Sequence, residues 1–466
     1  MNKLAKRAYF TLVLAVVLLG GLILIAYRYA TDAPEWVAFR SNSAIQKSGA
    51  LSSFTVVSSD GVLLLDTAQG ASYCTDAAVR SSVLHLLGDG SNTPSDVTGF
   101  HGDALTGFDY INGVYSTGEE QGKMTVTVNS MVQAAAFDAM QGKKGTVGVY
   151  NYQTGEILCM LSMPTYDIEN PPESIYETDE NGNRVEKDEY EGLYYNRFIR
   201  SLYIPGSTFK LVTAAAAIEH IADIDERTFE CHGSIDIGGR AVWCHNENGH
   251  GSLTFEQALA KSCNVVFAQI ADELGEKILT DYTNRVHITD TLSFDGLTTV
   301  KGGIHLSQAD RHAVAWAGIG QSYNQINPCQ FMTFVGAIAN GGKSAVPYVV
   351  ENVMYGEDTE YCAETKTETY LSKQTSARLA QMMRYAVETN YSWKCNFAGI
   401  ECGGKSGTAE RGDGTKDALF AGFSSDPDYP LAYIVVVENG TSGSDDCLPI
   451  VQQVLNACVA AIDARS

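Results

Sequence analysis

The sequence predicts an α+β fold in which helices flank an antiparallel sheet, and three features support this prediction. Residues 146–150 and 156–161 are strand-like runs on either side of the turn Gln153-Thr154-Gly155, as expected of an antiparallel pair. Three more strand-like runs occupy residues 405–410, 418–424 and 431–438. The segment between these two groups has helical periodicity, so we expect a mainly helical region there.

The N-terminus predicts a membrane anchor. Lys3, Lys6 and Arg7 precede the uncharged stretch 8–27, which as a helix spans roughly the 30 Å of a hydrocarbon core. A cleavable signal peptide is the alternative, but its apolar core is shorter and the sequence around Tyr27 has no small-residue cleavage site. We expect a cytoplasmic N-terminus, a single uncleaved span and the rest of the chain outside the membrane.

The chain divides into three predicted parts. Residues 1–30 are the tail and anchor, and residues 31–123 are a small N-terminal module with a hairpin at Asp60-Gly61 and a helix over 77–87. Residues 124–466 form the larger domain, in which an acidic run is expected to be a solvated loop over 169–191. Further helices are predicted over 130–140, 211–219, 255–261, 265–274, 327–340, 372–388 and 448–462.

Composition indicates a globular protein and argues against binding to nucleic acid. The chain has 466 residues, more than one ordinary domain, and 45% of them are hydrophobic, as in globular proteins. Its formal net charge of −23 argues against nucleic acid as a partner.

Ser207 and Lys210 form the first candidate catalytic pair. Pro205-Gly206 sets a turn before the predicted helix, so Ser207 lies at a helix start. Lys210 faces the same side three residues later. A lysine kept neutral by burial or by nearby positive charge can be the base that a serine nucleophile needs. Taken alone, the pair is equally an N-cap serine beside a solvated lysine.

Two further motifs accompany this pair. Ser262-Cys263-Asn264 falls between two predicted helices, the first of which opens with a capping box of Thr254 and Gln257. Lys405-Ser406-Gly407-Thr408 falls on a predicted edge strand, where Gly407 lets a ligand approach the backbone. Each has a structural explanation, as an interhelical turn or a charged sheet edge. Together with Ser-x-x-Lys they form the motif trio of serine β-lactamases and penicillin-binding proteins.

The order and surroundings of these motifs resemble the class B penicillin-binding proteins. The surrounding matches are Asn196-Arg197, Pro205-Gly206, Gly320-Gln321 and Asn340-Gly341-Gly342. The resemblance implies a penicillin-binding, serine β-lactamase-like transpeptidase domain with an antiparallel sheet, flanking helices and an all-helical subdomain. Where the family has His-Ala-Trp-Phe, this chain has Asp417-Ala418-Leu419-Phe420, so contacts near the cleft are expected to differ.

The resemblance implies that the protein is a peptidoglycan D,D-transpeptidase at the bacterial plasma membrane. Ser207 would attack the carbonyl between the two terminal D-alanines of a stem peptide, with Lys210 as its base. Ser262 would relay the proton to the departing D-alanine, and Asn264 would hold Lys210 and the substrate amide. An amine of a second stem peptide would then attack the acyl-enzyme.

The third motif is implied to bind the substrate. Lys405, Ser406 and Thr408 would bind its terminal carboxylate beside Gly407, and the N–H groups of Ser207 and Thr408 would form the oxyanion hole. β-Lactam antibiotics would acylate the same serine, and no metal or organic cofactor is expected. The anchor and N-terminal module would contact a polytopic glycosyltransferase of the SEDS type.

Three other functions stay open at this point. A β-lactamase or a D,D-carboxypeptidase would use the same trio but would activate water, and no glutamate can be assigned that role from the sequence. A non-catalytic β-lactam sensor or scaffold is the third alternative. The sequence has no second apolar segment of the 18 residues that a further span needs, and its intact trio argues against a scaffold.

The cysteines are spread along the chain. Cys231, Cys244, His245 and His250 could suggest zinc, but no tightly spaced ligand pair is present, so we favour a hairpin that happens to hold them. Cys231 and Cys244 flank a predicted hairpin with a Gly-Gly turn in an oxidising compartment. A disulfide that closes this short loop is therefore predicted, with two free thiols as the equally open alternative.

Overall fold

The computed structural model describes residues 3–38, 53–89, 97–106, 121–321 and 324–465. Its helices are α1 (Lys3–Ala38), α2 (Ala77–Ser82), α3 (Leu84–Leu87), α4 (Val97–Phe100), α5 (Gly102–Thr106), α6 (Ser130–Ala139), α7 (Arg197–Arg200), α8 (Lys210–His220), α9 (Phe255–Ala260), α10 (Asn264–Arg285), α11 (Arg311–Ile319), α12 (Pro328–Ala339), α13 (Lys373–Ala386), α14 (Gly443–Asp446) and α15 (Leu448–Asp463). Shorter turns of helix occupy Asp188–Tyr190, Gly206–Phe209, Val387–Tyr391 and Phe397–Gly399.

The strands of the larger domain and the module are numbered in chain order. They are β1 (Phe54–Val57), β2 (Leu63–Asp66), β3 (Ser72–Tyr73), β4 (Gly122–Val126), β5 (Gly145–Asn151), β6 (Ile157–Met163), β7 (Tyr176–Thr178), β8 (Arg184–Glu186), β9 (Thr228–Cys231), β10 (Ser234–Ile237), β11 (Arg240–Trp243), β12 (Gly251–Thr254), β13 (Ser293–Phe294), β14 (Leu297–Thr298), β15 (Gly303–Ile304), β16 (Asn324–Gln325), β17 (Lys343–Ala345), β18 (Val350–Tyr355), β19 (Asp358–Cys362), β20 (Thr367–Thr369), β21 (Cys402–Glu410), β22 (Lys416–Ser424) and β23 (Leu431–Val437).

A five-stranded antiparallel sheet lies at the centre of the larger domain, in the order β21-β22-β23-β5-β6. Strand β23 joins the two predicted groups of strands, because Val435 pairs with Val147 of β5. Successive residues of β23 alternate between two hydrophobic clusters, with Ile434 and Val436 in one and Val435 and Val437 in the other. The sheet is therefore covered on both faces, which confirms the predicted α+β layering.

The predicted helices between the two groups of strands are confirmed, and one of them is longer than expected. The described part of this region also contains the fourteen short strands β7–β20, so it is mixed rather than mainly helical. The Thr254 and Gln257 capping box opens α9. The helix predicted over 265–274 begins one residue earlier and continues as α10 to Arg285, with a break at Gly275, where φ is +76°. The acidic run predicted as a loop instead contains the exposed hairpin β7–β8.

The N-terminal module shares a sheet with the larger domain. The order is β19-β18-β4-β1-β2-β3, so β4 joins the module's hairpin to residues 350–362. The helix predicted over 77–87 is divided at Val83 into α2 and α3. Arg80 of α2 makes two hydrogen bonds to the Asp167 carboxylate, at 2.6 and 2.7 Å. Residues 39–52, 90–96 and 107–120 of the predicted module lie outside the described residues.

The segment Lys3–Thr31 of α1 is long and apolar enough to cross a membrane. The segment has 29 residues, and an 18-residue window within it reaches a mean hydropathy of 2.7, with none of that window buried in the protein. In length and composition, this segment fits the single-span anchor that the N-terminal sequence predicts.

Candidate active site

Ser207 lies on a tight turn packed against the edge of the central sheet. Gly206–Phe209 form a 3₁₀ turn that leads directly into α8. Gly206 has φ +52°, and a Cβ there would lie 2.5 Å from the Thr408 carbonyl oxygen. The turn therefore needs glycine, and it holds Ser207 against β21.

Lys210 contacts two of the three motifs from one buried position. Its side chain has no exposed surface. Nζ lies 3.1 Å from Ser207 Oγ, 2.7 Å from the Ser262 carbonyl oxygen, 3.2 Å from Ser262 Oγ and 2.8 Å from Asn264 Oδ1. The alternative interpretation, a solvated lysine beside an N-cap serine, therefore does not hold, because Lys210 is fully buried.

The environment of Lys210 favours a neutral amine. Burial lowers the pKa of Lys210 well below its ordinary value, and the charge of Lys405 lowers it further. A neutral amine has two N–H groups, which match the two shortest contacts, to Ser262 O and Asn264 Oδ1. Its lone pair is then left for the Ser207 hydroxyl, so this arrangement can remove the serine proton.

Lys405 is a second buried amine. Its Nζ donates to Ser262 Oγ at 3.0 Å and to the Ser406 carbonyl oxygen at 2.8 Å. Burial lowers the pKa of Lys405 to about 7. Ser262 Oγ therefore lies between two lysine nitrogens, a position from which a hydroxyl can pass on a proton.

The Ser262-Cys263-Asn264 connection has a strained backbone. Ser262 has φ +53°, in the left-handed region that non-glycine residues rarely adopt. Asn264 is the first residue of α10, and its Nδ2 donates to the Trp243 carbonyl oxygen at 3.1 Å. One amide hydrogen of Asn264 is thus committed to β11, and the second is available to a substrate.

The Lys-Ser-Gly-Thr motif lies on the edge strand β21, as predicted. A Cβ at Gly407 would lie 2.6 Å from the Pro205 carbonyl oxygen, so glycine permits the close approach of the strand to the Ser207 turn. Tyr391 fixes Ser406 from behind, because its hydroxyl lies 2.9 Å from Ser406 Oγ and accepts from Ser406 N at 3.2 Å. Gln321 Nε2 donates to the Thr408 carbonyl oxygen at 3.2 Å.

The motifs open on a cleft of about 1240 Å³. The predicted residues that line it are Ser207, Ser262, Asn264, Ser406 and Thr408. Lys210 and Lys405 are buried behind these residues. The structure thus brings all three motifs together, whereas the roles assigned to them remain predictions.

Sequence reasoning missed several residues at this cleft. Those that line it are Trp243, His245, Trp316, Gln321 and Arg411. In the sequence, Gln321 was marked only by the pair Gly320-Gln321, which resembles the family pattern. Tyr391 has no signal, because its turn is remote in sequence from Ser406 and lies near it only in the fold.

The departure from the family at residues 417–420 has a local explanation. Asp417 is buried and makes two hydrogen bonds to the Arg411 guanidinium, at 2.9 and 2.5 Å. Arg411 lines the cleft. This chain therefore has an ion pair beside the cleft where the family pattern has histidine, and Leu419 is buried.

The predicted disulfide between Cys231 and Cys244 is not formed. All eleven cysteines are unpaired, and these two lie beside His250 and Cys263. Four possible metal ligands thus meet here, since the third cysteine comes from the Ser262-Cys263-Asn264 motif.

Comparisons with known proteins agree with this geometry. The model of the penicillin binding protein transpeptidase domain matches residues 145–457. Peptidoglycan D,D-transpeptidase PbpA of Mycolicibacterium smegmatis is 29% identical over 344 residues, which cover 68% of each chain. The D,D-transpeptidase domain of a peptidoglycan glycosyltransferase from Eggerthella lenta is 26% identical with a TM-score of 0.71, covering 88% of this chain and 99% of that one.

One solved relative is an acyl-enzyme. Penicillin-binding protein A of Mycobacterium tuberculosis, in its penicillin G acyl-enzyme complex, has a TM-score of 0.71 and 23% identity. The match covers 88% of this chain and 100% of the relative's chain. At this identity, the likeness establishes the shared fold.

Proposed function

Since the chain belongs to the penicillin-binding protein transpeptidase family, as a class B member, we propose that it is a peptidoglycan D,D-transpeptidase with Ser207 as its nucleophile. The observation that carries this proposal is the buried Lys210 amine, whose Nζ lies 3.1 Å from Ser207 Oγ. Nucleophile and base are within the reach that serine activation requires.

In the first step, Ser207 Oγ attacks the carbonyl carbon between the two terminal D-alanines, and its proton passes to Lys210 Nζ. The tetrahedral intermediate then loses the terminal D-alanine as the C–N bond breaks. The departing nitrogen takes a proton through Ser262 Oγ, which lies 3.2 Å from Lys210 Nζ. The N–H groups of Ser207 and Thr408 stabilise the oxyanion, and one such donor contributes about 3 kcal/mol.

The substrate carboxylate is held on β21. Ser406 and Thr408 line the cleft, so their hydroxyls make the direct contacts. Lys405 is buried behind them and contributes its positive charge, while Gly407 leaves the backbone open to the substrate. In the second step, the amine of another stem peptide attacks the acyl-enzyme carbonyl carbon and forms the amide of the crosslink. The bond from that carbon to Ser207 Oγ breaks, and the proton that the amine loses returns to Ser207 Oγ.

The positions of the carboxylates in the cleft argue against hydrolysis and so favour transfer to an amine. A β-lactamase or carboxypeptidase would need a base for water, and the acids that line the cleft are Asp310 and Glu410. Asp310 is paired with Arg240 at 2.5 Å and caps α11. Glu410 is exposed and lies 3.4 Å from Lys416. Among the described residues, neither carboxylate makes a hydrogen bond to Ser207.

The proposal extends to membrane placement and a partner. With the basic residues Lys3, Lys6 and Arg7 before the span, the N-terminus is cytoplasmic and the cleft is extracytoplasmic. A polytopic glycosyltransferase of the SEDS type would bind the anchor and the N-terminal module. Co-purification with the full chain, and its loss when the 3–31 helix is exchanged for an unrelated span, tests this partner.

Labelling of the full chain with penicillin tests the activity. We expect one adduct on Ser207, found by peptide mass spectrometry, that persists for many minutes because the opened ring blocks the amine acceptor. Ser207→Ala should abolish the adduct, whereas Ser252→Ala, at an exposed serine of β12, should keep it. Rapid turnover of penicillin would indicate a β-lactamase, and full labelling of Ser207→Ala would overturn the site.

A further inference from the structure

Four metal-ligating side chains meet beside the active site without a role in the chemistry above. Cys231 ends β9, Cys244 follows β11, His250 precedes β12 and Cys263 lies between α9 and α10. Their ligand atoms all lie within 4.8 Å of one another. The three thiols are buried and the imidazole is partly buried.

The spacing of these atoms matches the edges of a tetrahedron around one ion. Cys231 Sγ and Cys244 Sγ lie 3.6 and 3.5 Å from His250 Nδ1, and Cys244 Sγ lies 3.9 Å from Cys263 Sγ. Zinc bonds of about 2.3 Å to sulfur and about 2.0–2.1 Å to nitrogen give tetrahedral edges of about 3.8 Å and about 3.5 Å. The four groups are therefore separated as ligands of a shared ion would be.

We propose that Cys231, Cys244, His250 and Cys263 bind one Zn²⁺ ion in a closed structural site. Three thiolates and an imidazole form a soft, tetrahedral ligand set that selects zinc among the common divalent ions. All four positions are filled by protein, so the ion has no open position for substrate or water. The sequence analysis considered Cys231, Cys244, His245 and His250, and the proposed ligand set has Cys263 in place of His245.

The ion would fix the strained turn of the second motif. Cys263 lies between Ser262 and Asn264, both of which contact Lys210 Nζ. A metal bond from Cys263 to the β9–β12 segment would hold that turn in place, in addition to the Asn264 contact with Trp243. Cys231, Cys244 and His250 are thus positioning residues, a role that rests on the proposed function, whereas zinc binding itself does not.

Metal content of the full chain, extracted in detergent under reducing conditions with Zn²⁺ in the buffer, tests the site. We expect about one zinc per chain, with X-ray absorption showing three sulfurs at about 2.3 Å and one nitrogen at about 2.0–2.1 Å. Co²⁺ replacement should give the visible absorption of tetrahedral thiolate coordination. Zinc well below one ion per chain, iron with acid-labile sulfide, or a Cys231–Cys244 disulfide in protein from cells would each overturn the proposal.

Variants separate the metal site from the catalytic site. Cys244→Ser and His250→Ala should lose zinc several-fold, whereas Cys362→Ser, at the exposed cysteine of β19, should retain it. Ser207→Ala should keep zinc and lose penicillin labelling. Retention of zinc in both Cys244→Ser and His250→Ala would contradict the ligand set. Should these variants fail to fold, the wild-type metal content and spectra still decide.

Discussion

Lys405 Nζ donates to Ser262 Oγ across 3.0 Å, and this bond joins the edge strand of the central sheet to the helical region. Lys405 lies on β21, and Ser262 lies on the connection between α9 and α10. The geometry of the acid–base groups therefore depends on how β21 packs against the Ser207 turn and the α9–α10 connection.

Removal of the Lys210 amine should slow acylation. Lys210→Ala is expected to lower the second-order rate constant for penicillin acylation at least about a hundredfold, the usual contribution of a general base. Stopped-flow fluorescence would measure it, with Lys277→Ala as the control, since that lysine is exposed on α10. An unchanged rate in Lys210→Ala would show that another group takes the proton.

The acylation rate should have a bell-shaped pH dependence. Lys210 acts as the neutral amine, so the rate rises as pH rises through its lowered pKa. Lys405 acts as the cation, so the rate falls as pH rises through about 7, its pKa. Lys405→Arg keeps the charge and should remove the alkaline decline. If that variant folds and declines as the wild type does, the alkaline limb belongs to another group.

Gly407→Ala should separate the edge strand from the nucleophile turn. The added Cβ would lie 2.6 Å from the Pro205 carbonyl oxygen, so the backbone must move. We expect acylation to fall by about ten- to a hundredfold, since small misplacements of reacting groups are costly. Gly412→Ala is the matched control, because nothing lies within 4 Å of its added Cβ. Equal rates for the two variants would contradict the packing argument.

Tyr391→Phe should weaken substrate recognition without loss of the fold. The change removes two hydrogen bonds to Ser406, each contributing about 1 kcal/mol. We expect acylation to slow by about tenfold or somewhat more. Tyr429→Phe, which removes a hydroxyl bound to Asp463, serves as the control, because neither residue lines the cleft. A similar loss in both variants would indicate a general effect on stability.

The N-terminal helix should remain attached to the mature protein. The span Lys3–Thr31 is long enough to cross the membrane, and basic residues precede the apolar part. Intact-mass measurement of membrane-extracted protein should give a chain that begins at or next to Met1. A mature form that begins near Ala30 would show that the segment is a cleaved signal.

Local signals explain what could be predicted from the sequence. Ser207 and Lys210 are three residues apart in one turn, so their proximity follows from helix geometry. The five strands of the central sheet and most helices followed from periodicity, and the Thr254 capping box marked its helix start. The Ser262 and Lys405 motifs gave no distance information, and their convergence depended on the family resemblance.

Long-range packing explains what was missed. Tyr391 reaches Ser406 through a π-helical turn that no pattern marks. The four possible zinc ligands come from separate elements, and spacing rules for zinc depend on closely spaced pairs. The six-stranded sheet was missed for a similar reason. Its strand β4 pairs with β1, which comes earlier in the chain, and with β18, which comes more than two hundred residues later.

The six-stranded sheet can be completed only after a late part of the chain has been synthesised. In β4, Val126 pairs with Val350, so its partner strand is made more than two hundred residues later. At about 5–20 residues per second of synthesis, β18 follows β4 by roughly ten to forty seconds. During that interval the growing chain carries β4 with an open edge, the kind of surface that pairs with other chains. Completion of the module therefore waits for synthesis of the larger domain, and a chain truncated before residue 350 would keep that edge exposed.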